Sequence, residues 1–469
     1  MITTDKVVKC WLAASLCVAC MVLPASGATP EMMAVLQGNE LLVASNDGEG
    51  HELCYCFKPC MQNKLMTFSH VGVRTVSSTT SSSSINLNDS KITWLNVATS
   101  DNIGPVGVKG YNDFVGGNHR WRRASSSGQK GAGPVTDVLT ARCDSCALLA
   151  NGTLLLQNTP TACRQVTVEV WNTIFDPLVE PAEGDTMLSS PLIAEHVLYT
   201  LQDNSIAVTV EHHYLKSFTV KRYYGMQSMF GGEVLIMTPD GAWPTWTAQD
   251  KVNSFNKHAY PSFQRFIEKN AEGWLQSSWL LPKEMGNHAY IDSNMAIFTR
   301  NTSKSYHVLM NHQPVTRGNT KRWSGIYTWA LPVADNDTLL AYPGIVNGQQ
   351  VLYVDVKSDC EAALVPCRHG WSNATVIRLR GDITFTPAAS GLAVTAEAGA
   401  SAIIVTKPRS DVSDDGRVDI DDINAVVNVM LGQASPHSDR ADINCDGTVG
   451  VDDLNAIINA MLEQRKKPV

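Results

Sequence analysis

The chain has 469 residues and a formal net charge of −8; 44% of its residues are apolar and 17% charged. That length allows two or three globular domains at roughly 150 residues each, with enough apolar material for sizeable cores. An acidic chain with no long basic run argues against a nucleic-acid partner.

The chain opens like an exported one. Lys6 and Lys9 precede an apolar stretch from Trp11 to Leu23, and Ser26-Gly27-Ala28 offers small residues for cleavage, so residues 1–28 read as a signal peptide. The apolar stretch is too short for a membrane span. Removal of the signal takes Cys10, Cys17 and Cys20 away and leaves nine of the twelve cysteines. In an oxidising compartment an odd set of nine points to disulfides plus one free thiol. Cys143/Cys146, Cys360/Cys367 and the trio Cys54, Cys56 and Cys60, which lies near His51, are each locally clustered, with Cys163 a further partner for one of them. The first trio also allows a zinc site, although its spacing matches no standard finger. Connectivity does not follow from the sequence.

Residues 29–134 read as an N-terminal β region interrupted by a Ser/Thr tract, Ser77 to Ser84, and a Gly/Ser-rich loop, Ser125 to Gly133. Residues 135–407 read as a β-sandwich domain. Its β-branched runs have strand length: Val166–Val170, Ser205–Val210, Val351–Val356 and Ile403–Val405. Asn151-Gly152, Asp240-Gly241 and Asn347-Gly348 are hairpin signals, because a two-residue turn needs positive φ. The only helical candidate before Pro408 is Tyr260 to Asn270. The fold class is therefore mainly β: a large antiparallel β-sandwich or supersandwich, with a small helical module after residue 407.

That module, residues 408–469, holds two copies of one pattern. DVSDDGRVDIDD runs from Asp411 to Asp422, and DINCDGTVGVDD from Asp442 to Asp453, 31 residues later. Side-chain oxygens fall at loop positions one, three, five and twelve: Asp411, Ser413, Asp415, Asp422 and Asp442, Asn444, Asp446, Asp453. Gly416 and Gly447 hold position six, and the carbonyls of Arg417 and Thr448 fall at position seven. Calcium takes six to eight hard oxygens in a flexible shell, and this spacing wraps one ion per loop, two in all. Behind each loop Ile423, Val426, Val427, Met430 and Leu431 match Leu454, Ile457, Ile458, Met461 and Leu462 at helical spacing, so two facing stripes are expected to form a small core.

A calcium loop plus one helix, repeated twice, resembles a type I dockerin, an all-α module with two EF-hand-like loops. The resemblance covers about 60 residues. It implies a cohesin domain of a scaffold protein as partner, with loop positions ten and eleven in the contact: Ile420, Asp421, Val451 and Asp452. Those positions often carry a Ser-Thr type of pair in the family, so the departure implies a different partner set. The doubled pattern implies a surface able to bind in two orientations.

Dockerins are most often fused to carbohydrate-active modules, which implies a polysaccharide for the large domain, by analogy alone. Its sequence is similar to the sugar-acting β-supersandwich of mutarotases and of the C-terminal parts of some polysaccharide lyases, in its strand alternation and its His, Tyr, Arg and Asn content. Gly116-Gly-Asn-His-Arg-Trp121 is a turn presenting Asn118 and His119. In Thr209–Leu215 alternation puts His212 and Tyr214 on one face, Glu211 and His213 on the other. Arg222 and Tyr224 follow, then Trp243, Trp246, His288 and Tyr290. For eliminative chemistry Asn118 or Arg222 would bind a uronate carboxylate, and His119, His212 and Tyr224 would move protons. A hydrolase instead needs two carboxylates about 5–10 Å apart; Glu169, Glu195, Glu211, Glu233 and Asp240 are the candidates. A binding module needs only the aromatics, and a strand histidine is more often a satisfied core or surface residue than a catalyst.

Overall fold

Alternation of buried and exposed positions organises strands with one solvent face, as in Val166–Phe175, where Val168 and Val170 are buried and Trp171 is exposed, while Leu275–Leu280 is buried throughout. The computed structural model describes residues 32–47, 50–76, 89–97, 102–123, 135–230, 235–238, 241–243, 258–259, 265–281, 295–299, 304–366, 375–388, 391–407, 410–413, 418–433, 441, 443 and 449–465. The protein is mainly β: of the described residues 60% are strand and 7% helical, in several antiparallel sheets. The expected signal segment, the Ser/Thr tract, the Gly/Ser-rich loop, Glu233, Asp240, Trp246, His288 and Tyr290 lie outside the described residues.

An N-terminal sheet of six strands runs in the order Thr161–Cys163, Met32–Gln37, Glu40–Asn46, His51–Cys60, Leu65–Thr75, Thr93–Val97. A central sheet of nine is ordered Thr153–Leu154, Ala141–Ala150, Val166–Phe175, Pro191–Gln202, Ser205–Tyr214, Thr320–Ala330, Leu275–Leu280, Arg265–Lys269, Leu235–Met237. The largest core lies between them, where Tyr55, Phe57 and Phe68 meet Tyr199, Tyr327 and Trp329. It draws on residues from both sides of 134, and Thr161–Cys163 pairs with Met32–Gln37, so the two expected β regions share one core.

A second core joins the other end of the central sheet, through Trp279 and Ile326, to Tyr342 and Tyr353 of a five-stranded sheet. That sheet contains Leu339–Val346, Gln349–Val356 and Ser401–Lys407. Asn151 and Gly152 (φ 46° and 74°) and Asn347 and Gly348 (φ 51° and 73°) form the expected two-residue hairpin turns. Of the expected helix over Tyr260 to Asn270, residues 260–264 lie outside the described residues and the remainder is not helical. Arg265–Lys269 is a strand paired with Leu275–Leu280, because Phe266 and Ile267 are claimed by opposite faces of a sheet.

The cysteines also differ from expectation. Cys54, Cys56, Cys143, Cys146, Cys163 and Cys360 are free thiols; Cys367 and Cys445 are not among the described residues. Cys54 and Cys56 sit two apart on one strand, a separation of about 6.6 Å along the chain, at the long end of disulfide geometry. They pack instead in a small core with Val35 and Ile92, and burial pushes the Cys54 thiol up to about 12. No group of three His, Cys, Asp or Glu side chains among the described residues is arranged to hold a metal, so the zinc alternative fails there.

The C-terminal module has two helices, α1 (Ile420–Met430) and α2 (Val451–Arg465). Asp419 caps α1 in a reciprocal box with Asp422. The core is smaller than the stripes suggested. Val426 and Ile457 are buried, joined by Val412, Val418 and Ile443 from the loops. Met430, Leu431, Ile458 and Leu462 are exposed instead, because loop residues rather than the full helix stripes fill the space.

Candidate functional site

The turn Gly116–His119 leaves the strand Phe114–Val115 through two glycines in the left-handed region (φ 88° and 44°), a path other residues rarely take. Asn63 anchors it: its Nδ2 donates to the carbonyls of Gly117 (2.7 Å) and His119 (2.9 Å). His119 Nδ1 lies 3.1 Å from Asp113 Oδ1, and Arg122 Nε 2.9 Å from Asp113 Oδ2. Burial alone would raise the Asp113 carboxyl; the His119 hydrogen bond and charge, with Arg122, more than offset it and hold it below the usual value.

Tyr224 reaches the same place from a distant part of the chain. Its neighbour Tyr223 ends the strand Phe218–Tyr223 pointing into the core, so Tyr224 points outward. Gly225 (φ 65°) then turns the chain against Leu309, where a Cβ would lie 2.4 Å from Cδ1. Tyr224 stacks on Phe114 (5.4 Å, 29°) and leans on Tyr306 (4.9 Å). His119 packs against Phe114 at 5.4 Å. Arg222 lies 5.9 Å from the Tyr224 ring centre, and Lys304 Nζ 5.8 Å from that of Tyr306. Of the predicted residues, His119, Tyr224 and Arg222 therefore join one cluster, with Asn118 half-buried in the turn. Asp113, Phe114, Arg122, Lys304 and Tyr306 were missed. An aromatic two residues before the Gly-Gly pair was the one local signal for Phe114.

His212 does not belong to it. As expected it shares a face with Tyr214, but that face is the core, and the side chain is 0% exposed. Its Nε2 lies 2.8 Å from Glu195 Oε2, and Glu195 Oε1 accepts from Asn172 Nδ2 at 2.9 Å. Tyr223 covers His212 at 4.9 Å, so Tyr223 and Tyr224 place His212 and the surface cluster on opposite sides of one strand. The three-residue constellation is thereby corrected to His119 and Tyr224. Glu195 lines, with Gly116 and Gly117, a cavity of about 40 Å³, room for a few waters and not for a sugar ring. The hydrolase carboxylates are divided as well. Glu195 is on the core face of the central sheet, Glu169 and Glu211 on its solvent face, so Glu195 makes no catalytic pair with either. Trp243 packs against the second core.

In the C-terminal module three of the expected calcium ligands are buried: Asp411 (1% exposed), Asp422 (0%) and Asp453 (0%). Asp422 accepts from Ser413 N and Asp419 N, both at 2.8 Å. Asp453 accepts from Ile443 N (2.7 Å) and Gly450 N (2.8 Å). Each carboxylate thus ties the start of its loop to its end. Among the described residues Asp422 pairs with no lysine or arginine, and a buried carboxylate without a cation is costly, so the donor set fits a bound cation. Asp415, Arg417, Asp442, Asn444, Asp446 and Thr448 lie outside the described residues, and Ser413 is half-buried. Ile420 (57%), Val451 (63%), Asp421 and Asp452 are exposed.

No protein-family model and no curated protein matches the chain. Among solved structures it is similar to the galactosidase domain of an alpha-galactosidase–sucrose kinase, AgaSK, at 13% identity and a TM-score of 0.31, over 64% of this chain and 41% of that one. It is similar to the heparan sulfate lyase HepC of Pedobacter heparinus at 8% identity and a TM-score of 0.27, over 68% and 41%. A third is Slr1438 of Synechocystis sp. PCC 6803, at 9% identity and a TM-score of 0.29, over 66% of this chain and all of that one. The chain thus spans 41% of the length of the first two. Among the described residues no helix is long and apolar enough to cross a membrane.

Proposed function

We propose that the protein is an exported, dockerin-bearing component of a polysaccharide-degrading system, docked through its C-terminal module to a cohesin in the presence of calcium. The observation that carries this is the equivalence of Asp422 and Asp453, each buried at loop position twelve and each accepting two backbone N–H groups. Asp411, Ser413, Asp415, Asp422 and the Arg417 carbonyl would hold one ion; Asp442, Asn444, Asp446, Asp453 and the Thr448 carbonyl the other. Calcium supplies the charge that lets these carboxylates stay together and links metal binding to folding of the module. The exposed Ile420, Asp421, Val451 and Asp452 would meet the partner. The test is capture of the full chain by a panel of immobilised cohesins with calcium and with excess chelator. Binding to at least one, abolished by chelator, is expected; no binder, or binding indifferent to chelator, refutes the docking reading.

The large domain engages polysaccharide at the Phe114–Tyr224 cluster. The half-buried aromatic faces of Phe114, Tyr224 and Tyr306 suit sugar rings, and Arg122, Arg222 and Lys304 suit an acidic glycan. His119 and Tyr224 are the groups available for proton transfer if the glycan is cleaved.

A further inference from the structure

The central sheet has a solvent face that the proposal above does not use. Its inner face is filled by Val168, Val170, Val197 and Val210. The five-stranded sheet packs on the outer face over the strands Thr320–Ala330, Leu275–Leu280, Arg265–Lys269 and Leu235–Met237, and reaches Ser205–Tyr214 at its first residue, where Ile345 N donates to Ser205 Oγ. Over Val166–Phe175, Pro191–Gln202 and Ser205–Tyr214 the outer face is open: Trp171, Ala194, Ala207 and His213 are all exposed. We propose that this open half is a second carbohydrate-contact surface, built on Trp171 and suited to an uncharged sugar chain.

Strand register sets the arrangement. Ser145, Trp171, His196, Glu211 and Arg322 are successive cross-strand partners and form one row. With strands about 4.8 Å apart, the row is about 19 Å long. His196 stacks on one face of the Trp171 indole (5.2 Å, 15°), and its Nε2 lies 2.8 Å from Glu169 Oε1, so both rings are held upright. On the other side stands Ser145, exposed and too short to cover the second indole face. A rigid aromatic ring with one face packed and the other open is a slot for the C–H face of a pyranose. Hydrogen-bonding groups flank it: Glu169 and Glu211 offer acceptors to hydroxyls, and the half-buried Arg322, next in the row after Glu211, offers guanidinium donors. Two carboxylates against one guanidinium disfavour uronates and sulfates, in contrast to the basic cluster at Tyr224.

Titration calorimetry of the full chain with cellohexaose, xylohexaose and mannohexaose tests this. At least one should bind, at least tenfold more weakly to Trp171→Ala and to Ser145→Phe, which fills the slot while keeping the tryptophan. Trp171→Tyr should retain most of the affinity. Binding of none, or equal binding by Ser145→Phe and the native protein at matched melting temperatures, overturns the proposal. Retention on a heparin or pectate column that depends on Tyr224 reports only on the first site, so the two readings fail separately.

Discussion

Replacing Asp422 with asparagine changes one atom and tests how the C-terminal loops hold together. The native carboxylate accepts from Ser413 N with Oδ1 and from Asp419 N with Oδ2, both at 2.8 Å, with no solvent access. An amide keeps the shape but turns one acceptor into a donor that faces a backbone N–H. One of the two bonds is lost and its partner is left buried. A hydrogen bond to a charged group contributes about 1.5–3 kcal/mol, so the loop should lose about 2–3 kcal/mol. At about 1.4 kcal/mol per decade, calcium should bind that loop roughly 30- to 150-fold more weakly. Any direct ligation by the carboxylate would enlarge the effect. Calorimetric calcium titration of the full chain should show two ions for the native protein and one weakened site in Asp422→Asn. Asp453→Asn should weaken the other, since it removes the equivalent bonds to Ile443 and Gly450. Calcium affinity within threefold of native in both variants would refute the reasoning.

Arg265 is fully buried and joins the central sheet to the five-stranded sheet through Asp355, with Nη2 also 2.9 Å from Ser401 Oγ. Arg265→Met should cost about 3–5 kcal/mol in urea denaturation by stranding that carboxylate; Arg265→Met with Asp355→Leu should recover most of it, and a single-variant loss under about 1 kcal/mol would count against the pair. Because burial already raises the Asp355 carboxyl against the opposing pull of Arg265, the single variant should be hurt more at pH 8 than at pH 5. His307, beside the Ser278 carbonyl at 3.3 Å, is pushed down to about 4 by burial. The unfolded chain takes up this proton near 6.5 and the folded one only near 4, so stability should fall as pH drops through that window, by about 3 kcal/mol at its acid end. His307→Gln should flatten that part of the stability–pH curve, and an unchanged slope would mean that His307 protonates in place.

What the sequence determined by itself is local. The two repeated acidic loops are legible because position-one to position-twelve spacing and the helix behind it sit within one short segment, and the copy 31 residues on repeats them. Asn151-Gly152 and Asn347-Gly348 form their turns because positive φ is a property of the residues themselves. Alternation likewise assigned His212 and Tyr214 to one face and Glu211 and His213 to the other. It did not say which face is core, and that decided the site. His212 went inside with Glu195, while Tyr224 went outside to meet Phe114 and Tyr306. The open indole of Trp171 was equally invisible, since it depends on Ser145 being its cross-strand partner. Which strands become neighbours, in which register, and which half of a sheet another sheet covers are set by burial of apolar surface summed over the whole chain. Only the tertiary structure expresses that sum, because the partners it brings together are far apart in sequence.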